Sequence, residues 1–327
     1  MKRIIKTAAI ILIAATVLSG VSCTDYGYSD TFFSMDTYIK VTVFGKSSKE
    51  NIKTVRDIIT KCEQNYSATL ADSELSRLNT EGIIGNASDG LLDMLGCVGV
   101  MYERTYGAYD VTVLPLVRLW DFGGENRVPS DNEIDETLKT VGFENVHLDG
   151  KNVTLNNGVQ IDLGSCAKGY ASEMAAKMLR ESGVEWAVLS LGGNVVTVGS
   201  KPNSVPFRIG IADPFHPDNT IGILEVGECA VVTSGTYQRY FISDGKTYHH
   251  ILDARTGRPS ESGLVSITVV ADNGMWADVL STSLFLLGLD GTEKYYNNYG
   301  GFEYIAVTDK GEIKISGGLI DKFIPNK

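Results

Sequence analysis

The run Val146-His147-Leu148-Asp149-Gly150-Lys151-Asn152-Val153-Thr154-Leu155-Asn156-Asn157-Gly158-Val159-Gln160-Ile161-Asp162-Leu163 is where the hydrophobic period of this chain changes. Its short apolar alternations are broken by Asp149-Gly150 and Asn157-Gly158, dipeptides that reverse hairpins because their residues accept positive φ. Upstream, Ser47-x-x-Glu50 reads as a capping box opening a helix with Ile52, Val55, Ile59 and Cys62 on one face. A second helix is expected over about Asp89–Thr105, and Ser130-x-x-Glu133 caps a third ending near Gly142. Before them, Phe33 to Phe44 reads as one strand. Downstream, strands (Trp186 to Leu191, Phe207 to Ile211, Leu264 to Ala271, Tyr304 to Val307, Glu312 to Ser316) mix with helices near Tyr170 to Ser182 and Met275 to Leu287. Hairpins beside isolated helices, without a βαβ rhythm, give an α+β class with mixed or antiparallel sheets packed by helices. No linker or repeat interrupts residues 23–327, which read as a single domain.

Composition narrows the function classes. The 327 residues are 43% hydrophobic and 21% charged, with 35 Gly beside 8 Pro, which excludes a disordered, collagenous or coiled-coil chain and predicts many tight turns. A net charge of -11 argues against broad binding to nucleic acid or an anionic membrane surface. An anionic ligand must therefore be held locally. Residues 1–22 read as an export signal: Lys2, Arg3 and Lys6 precede an apolar run of 14 residues, Thr7 to Gly20, too short to cross a bilayer. Cys23 follows small residues, as in a lipoprotein acylated there after cleavage, which would leave the protein exported and lipid-anchored to the bacterial membrane. Ordinary secretion with a free Cys23 is the alternative, since Gly20 stands where such signals carry a larger aliphatic residue. Removal of the signal takes the net charge to -14. Cys62, Cys97, Cys166 and Cys229 lack metal-ligand spacing; an even number in an exported chain permits disulfides, but their apolar or small-residue contexts favour buried free thiols.

Three segments carry chemistry. In Ile161-Asp162-Leu163-Gly164-Ser165-Cys166-Ala167-Lys168-Gly169-Tyr170, a strand ending at Leu163 runs through small residues into a helix near Tyr170. Amides at a helix start, with Lys168 beside them, could cradle a phosphate. A plain Gly-rich turn is the alternative. In the helix Met275 to Thr282, Asp278 and Thr282 are one turn apart, a carboxylate and a hydroxyl suited to Mg²⁺; equally, Asp278 could favour the helix dipole while Thr282 bonds back to a carbonyl. His249 and His250 are adjacent in an extended segment, so only one can face a site, where it could act as a base. Gly107 to Thr112 and Leu119-Trp120-Asp121-Phe122 offer aromatic surface for a flat heterocycle, or core packing.

Taken together, the chain resembles the ApbE family of flavin transferases over nearly all of its mature length. The matching segments stand in order: Ser34-Met35-Asp36-Thr37-Tyr38, Asp72 to Asn79, Gly107-Ala108-Tyr109-Asp110-Val111-Thr112, Asp162-Leu163-Gly164 through Ala167-Lys168-Gly169-Tyr170-Ala171, Leu191-Gly192-Gly193-Asn194, Thr233-Ser234-Gly235, His250-Ile251-Leu252-Asp253 with Thr256-Gly257, and Ala277-Asp278 to Thr282. The resemblance implies FAD contacts from Met35, Thr69, Ala108, Tyr109, Asp110, Asp162, Lys168, Ser260 and Met275. It implies magnesium held by Asp278, Thr282 and a main-chain oxygen at Ser165, with His250 as catalytic base. Two departures stand out. Ser165 and Cys166 replace the family's usual Gly or Ala and Ile or Val, which a main-chain contact tolerates, and Ala254 stands where Pro is common, which loosens the loop after His250.

The activity implied is transfer of FMN from FAD to a threonine of an exported acceptor flavoprotein, such as a subunit of a membrane redox complex, with AMP released. The same site with water as nucleophile would be a Mg²⁺-dependent FAD pyrophosphatase. A lipoprotein that binds FAD without turnover is the alternative from another class.

Overall fold

The computed structural model describes residues 27–124 and 126–326. The expected signal segment 1–22 and Cys23 lie outside them. Eight antiparallel strands form the central sheet and lie side by side in chain order: Gly27–Ser34, Thr37–Phe44, Trp186–Leu191, Asn194–Gly199, Cys229–Gly235, Leu264–Ala271, Glu303–Thr308 and Ile313–Ile315. Strand alternation divides the core. In Trp186–Leu191, Ala187, Leu189 and Leu191 join the larger apolar cluster beneath the helices, while Trp186 and Val188 join a smaller one on the opposite face. The smaller cluster is closed by the strands Phe207–Ala212, Thr220–Val226 and Phe323–Pro325, which form a sheet of their own. The α+β class and antiparallel sheets are therefore as the sequence indicates. Among the described residues, no helix is long and apolar enough to cross a membrane.

Because the strands alternate in direction, the Met35-Asp36 turn, the Gly192-Gly193 turn and the segment 236–263 all leave the central sheet at one end. The helices Ala167–Glu181 and Gly274–Tyr299 pack on each other over this sheet.

Several local readings are corrected. Phe33 to Phe44 is not one strand but a hairpin reversed at Met35-Asp36, with φ of 51° and 59°. These residue types rarely signal such a turn. Tertiary contacts supply what the sequence lacks, since Glu63 accepts the Met35 N–H at 2.8 Å and the Ser34 hydroxyl at 2.6 Å. Ser47 precedes the helix Ser48–Tyr66 in a left-handed conformation and makes no side-chain cap, so the box at Ser47 does not form. The box at Ser130 does, although its helix ends at Leu138. Asp149-Gly150 begins the reversal between Val146–Asp149 and Asn152–Leu155 as expected. Asn157-Gly158 makes a tight turn closed by Val159 N–H to Asn156 O at 3.2 Å, but no strand follows.

Candidate active site

The segment before the Ala167–Glu181 helix is extended without being a strand of any sheet. The Asn79 side chain stands in for a strand neighbour: it accepts from the Ile161 N–H at 2.7 Å and donates to the Ile161 carbonyl at 2.8 Å. The Asp162 N–H donates to Val111 O at 2.7 Å. Asp162 then turns its carboxylate onto its own loop, accepting the Gly164 N–H at 2.6 Å. The helix starts at Ala167, three residues earlier than expected, and Lys168 reaches back to the Gly164 carbonyl at 3.1 Å. The Ser165 hydroxyl meets the Tyr109 hydroxyl at 2.9 Å. Burial pushes the Tyr109 phenol far above its ordinary pKa, so it stays protonated.

This loop is fastened to the second helix. The Gly169 N–H donates to Oδ2 of Asp278 at 2.7 Å. A Cβ at Gly169 would lie 2.4 Å from the Gly274 carbonyl oxygen and 2.5 Å from the Asp278 Cβ, so only glycine lets the two helices meet there. Asp278 is 4% exposed. Desolvation raises its pKa, opposed by the Lys168 ammonium and the Gly169 amide. The cap of the Gly274–Tyr299 helix is Asn273, whose side chain accepts the Trp276 N–H at 3.0 Å, so capping does not account for Asp278. Nor does Thr282 bond back to its helix: its hydroxyl meets Ser234 Oγ at 3.2 Å, and Ser234 also meets Ser281 Oγ at 2.8 Å.

Among the described residues, no cluster of three or more His, Cys, Asp or Glu is placed to hold a metal. The donors expected from the sequence are the buried Asp278 carboxylate, the Thr282 hydroxyl and the Ser165 carbonyl. That set is hard, oxygen-only and sparse, and it fits Mg²⁺, which keeps water and phosphate oxygens in most of its positions. A carboxylate this deeply buried, held by the Gly169 amide, is the group such a cation would neutralise.

His250 follows the strand Lys246–His249. Its N–H donates to Arg239 O at 3.1 Å and its Nδ1 lies 3.2 Å from the same oxygen. That contact assigns the ring proton to Nδ1 and leaves Nε2 as a free lone pair. Desolvation first, then the charges of Arg239 and Lys168, hold its pKa well below the ordinary value. His249 points the other way and is buried, with Nε2 3.0 Å from Ser260 O and Nδ1 accepting the Ile251 N–H at 3.3 Å. Two adjacent histidines thus take opposite roles, as an extended backbone requires.

The remaining expected positions differ in what they offer. Met35 occupies the reversal that Asp36 ties to Arg239 by an ion pair at 3.4 Å, beside the His250 anchor. Thr69 is exposed on a turn around the Ser67 hydroxyl, just beyond the Ser48–Tyr66 helix. Ala108 and Tyr109 are buried. The Asp110 carboxylate is engaged by the Thr112 N–H and hydroxyl, both at 2.7 Å, and by the Phe143 N–H at 2.9 Å, so it holds its own segment in place. Ser260 is buried under His249, and Met275 packs at the Gly169 crossing. Trp120 is fully buried and donates to Gly257 O at 2.8 Å, which makes it core rather than ligand surface. Cys62, Cys97, Cys166 and Cys229 are free and buried. Ala254 does not loosen its loop: its N–H donates to the Ala108 carbonyl at 3.3 Å, a bond proline cannot make. Sequence reading passed over Ser234 and the crossing at Gly169, although both lie inside the quoted motifs.

A model of the ApbE family matches residues 35–306. The chain is 34% identical over 258 residues to an FAD:protein FMN transferase of Vibrio cholerae, covering 75% of each chain. It is 29% identical over 295 residues to that of Escherichia coli, covering 85% of this chain and 83% of the relative. Among solved structures, it is similar to an ApbE protein of Thermotoga maritima, with a TM-score of 0.83 and 32% identity over 90% of this chain and 99% of that one. It is also similar to the flavin transferase ApbE of Vibrio cholerae, with a TM-score of 0.80 and 28% identity over 91% and 100%.

Proposed function

Because the chain belongs to the ApbE family, we propose that it is a Mg²⁺-dependent FAD:protein FMN transferase acting on a threonine of an exported acceptor protein. The observation that carries this reading is the bond from the Gly169 amide to Asp278, which brings a phosphate-type loop, a lysine and a lone buried carboxylate to one place. In the reaction, the threonine oxygen bonds to the FMN-side phosphorus of FAD as the bond to the AMP-side oxygen breaks, and AMP leaves. Lys168 and the loop amides would orient the diphosphate, and His250 Nε2, free of other bonds, would take the hydroxyl proton. Asp278, Thr282 and the Ser165 carbonyl would hold Mg²⁺, which supplies neutralisation of the phosphate charge and of the leaving group. Without it, bringing a dianionic ligand to this acidic chain would be strongly unfavourable. Met35, Thr69, Ala108, Tyr109, Asp110, Asp162, Ser260 and Met275 are proposed as the surroundings of the flavin nucleotide, Asp110 through the segment it supports.

The reading includes export and acylation at Cys23, checked by loss of membrane association in Cys23→Ser. The test of function is incubation with FAD, Mg²⁺ and a candidate acceptor domain. Flavin fluorescence that stays on the denatured acceptor, with one FMN added on threonine by mass spectrometry, supports transfer. Release of all flavin as free FMN with AMP makes the protein a pyrophosphatase, and bound FAD with no AMP makes it a binding protein.

A further inference from the structure

The turn Gly192-Gly193 delivers a polar side chain into the largely apolar face of the central sheet beneath the helices. Both glycines have positive φ, 56° and 103°, and Asn194 is the first residue of the strand they open. Along that strand, Val196 and Val198 belong to the core beneath the helices, so Asn194, two residues earlier, faces the same layer. Its register partner is Val232, and two residues further along that neighbouring strand is Ser234, which bonds Ser281 and Thr282. Ser281 Oγ in turn donates to the Asp278 carbonyl at 2.9 Å. The sheet thus presents two polar side chains, Asn194 and Ser234, to the one turn of helix that carries Asp278 and Thr282.

Ser234 is fully engaged and Asn194 is not. Asn194 is 2% exposed and its Nδ2 has no hydrogen-bond partner. Buried donors without partners are rare and call for an explanation. The group this amide bears upon is Asp278, in the helix turn that Ser234 on the neighbouring strand also meets, and it favours the ionised carboxylate without making a well-formed hydrogen bond to it.

We infer that Asn194 is a positioning residue for Asp278: its Nδ2 donates to the Asp278 carboxylate once a cation occupies the opposite side, fixing the carboxylate's orientation. The inference rests on the Mg²⁺ reading above. Outer groups of this kind set the geometry of a metal ligand, and their loss weakens metal binding by roughly 10- to 100-fold. Ser234 does the same for Thr282 and is already in place, which leaves the cation site half assembled on the sheet side.

The test needs no turnover. Mg²⁺ is titrated into the protein with FAD present, and both melting temperature and flavin fluorescence anisotropy are followed in the wild type, Asn194→Leu and Asn194→Ser. The expected result is a Mg²⁺ midpoint raised roughly tenfold or more in Asn194→Leu, a smaller rise in Asn194→Ser, which keeps a donor, and unchanged FAD affinity without metal. A midpoint equal to the wild type's, even with lowered melting temperature, overturns the inference and leaves the metal reading standing. If Asn194→Leu does not fold, Asn194→Ser decides by the same comparison. No Mg²⁺ response in the wild type removes the metal reading and this inference with it.

Discussion

Gly169 and Asp278 are 109 residues apart in the chain and joined by a 2.7 Å bond from amide to carboxylate at a point where the two helices touch. A methyl group at Gly169 has no free direction, because the Gly274 carbonyl and the Asp278 Cβ already occupy it. Gly169→Ala must therefore separate the helices or tilt the loop, at about 1–3 kcal/mol for overpacking. We expect a lower melting temperature together with loss of flavin transfer. Full activity at wild-type stability would mean the crossing has slack that the geometry denies.

Asp278→Asn separates charge from shape. The amide oxygen still accepts from Gly169, while the buried negative charge, whose pKa is raised by desolvation, disappears. Melting of the metal-free variant should match or exceed that of the wild type, and Mg²⁺-dependent transfer should be abolished. Activity recovered at saturating Mg²⁺ would remove Asp278 as the ligand.

His250→Ala should lose transfer while FAD binding, read by fluorescence, is kept. In the wild type the lowered pKa keeps the ring neutral and able to accept a proton to more acidic pH than a free imidazole. The acid limb of kcat/KM should therefore fall below the ordinary value of about 6.5. A limb centred on that value would indicate a solvated ring or a different base.

His249 makes a prediction about stability. Burial lowers its pKa, opposed by the Ser260 carbonyl and Glu261, so the folded state binds fewer protons than the unfolded chain at acid pH. The stability this contributes is present above the unfolded value of about 6.5 and is lost as pH falls toward the folded one, with a limiting slope of about 1.4 kcal/mol per pH unit. Urea unfolding of His249→Gln at pH 7.0 and about 5.5 should show a smaller difference than the wild type. An equal difference would place the acid sensitivity in other groups.

What the sequence made legible follows from where the information lies. Leu264–Ala271 was readable to the residue because it is an apolar run bounded by Gly263 and by Asp272-Asn273. The Asp278 and Thr282 pair was readable because helical spacing fixes it locally. Ile161 was read as part of a strand because its apolar context looks like one, yet its partner is a side chain, Asn79, at a distance no local pattern encodes. The Met35-Asp36 reversal escaped for a related reason: Glu63, on the Ser48–Tyr66 helix, stabilises it, and the turn residues themselves do not announce it. Asp110 was expected at the ligand because of its motif, while its hydrogen bonds to Thr112 and Phe143 appear only once the 110–112 and 142–143 segments are side by side.

Ala254 offers a test of how the loop after His250 is held. It is buried, and its N–H donates to the Ala108 carbonyl, tying the His250 loop to the segment that carries Tyr109. Tyr109 in turn meets Ser165, so the Ala254 contact links His250 to the phosphate-type loop through three short steps. Ala254→Pro would delete that donor and leave a buried carbonyl short of a partner. The cost of the lost bond is about 1 kcal/mol, offset in part by a stiffer unfolded chain. Melting temperature should therefore change little or fall slightly, whereas the apparent affinity for FAD should weaken, because the two segments are no longer coupled. Tighter FAD binding in Ala254→Pro would show instead that rigidity of the loop, and not its tie to Ala108, governs the site.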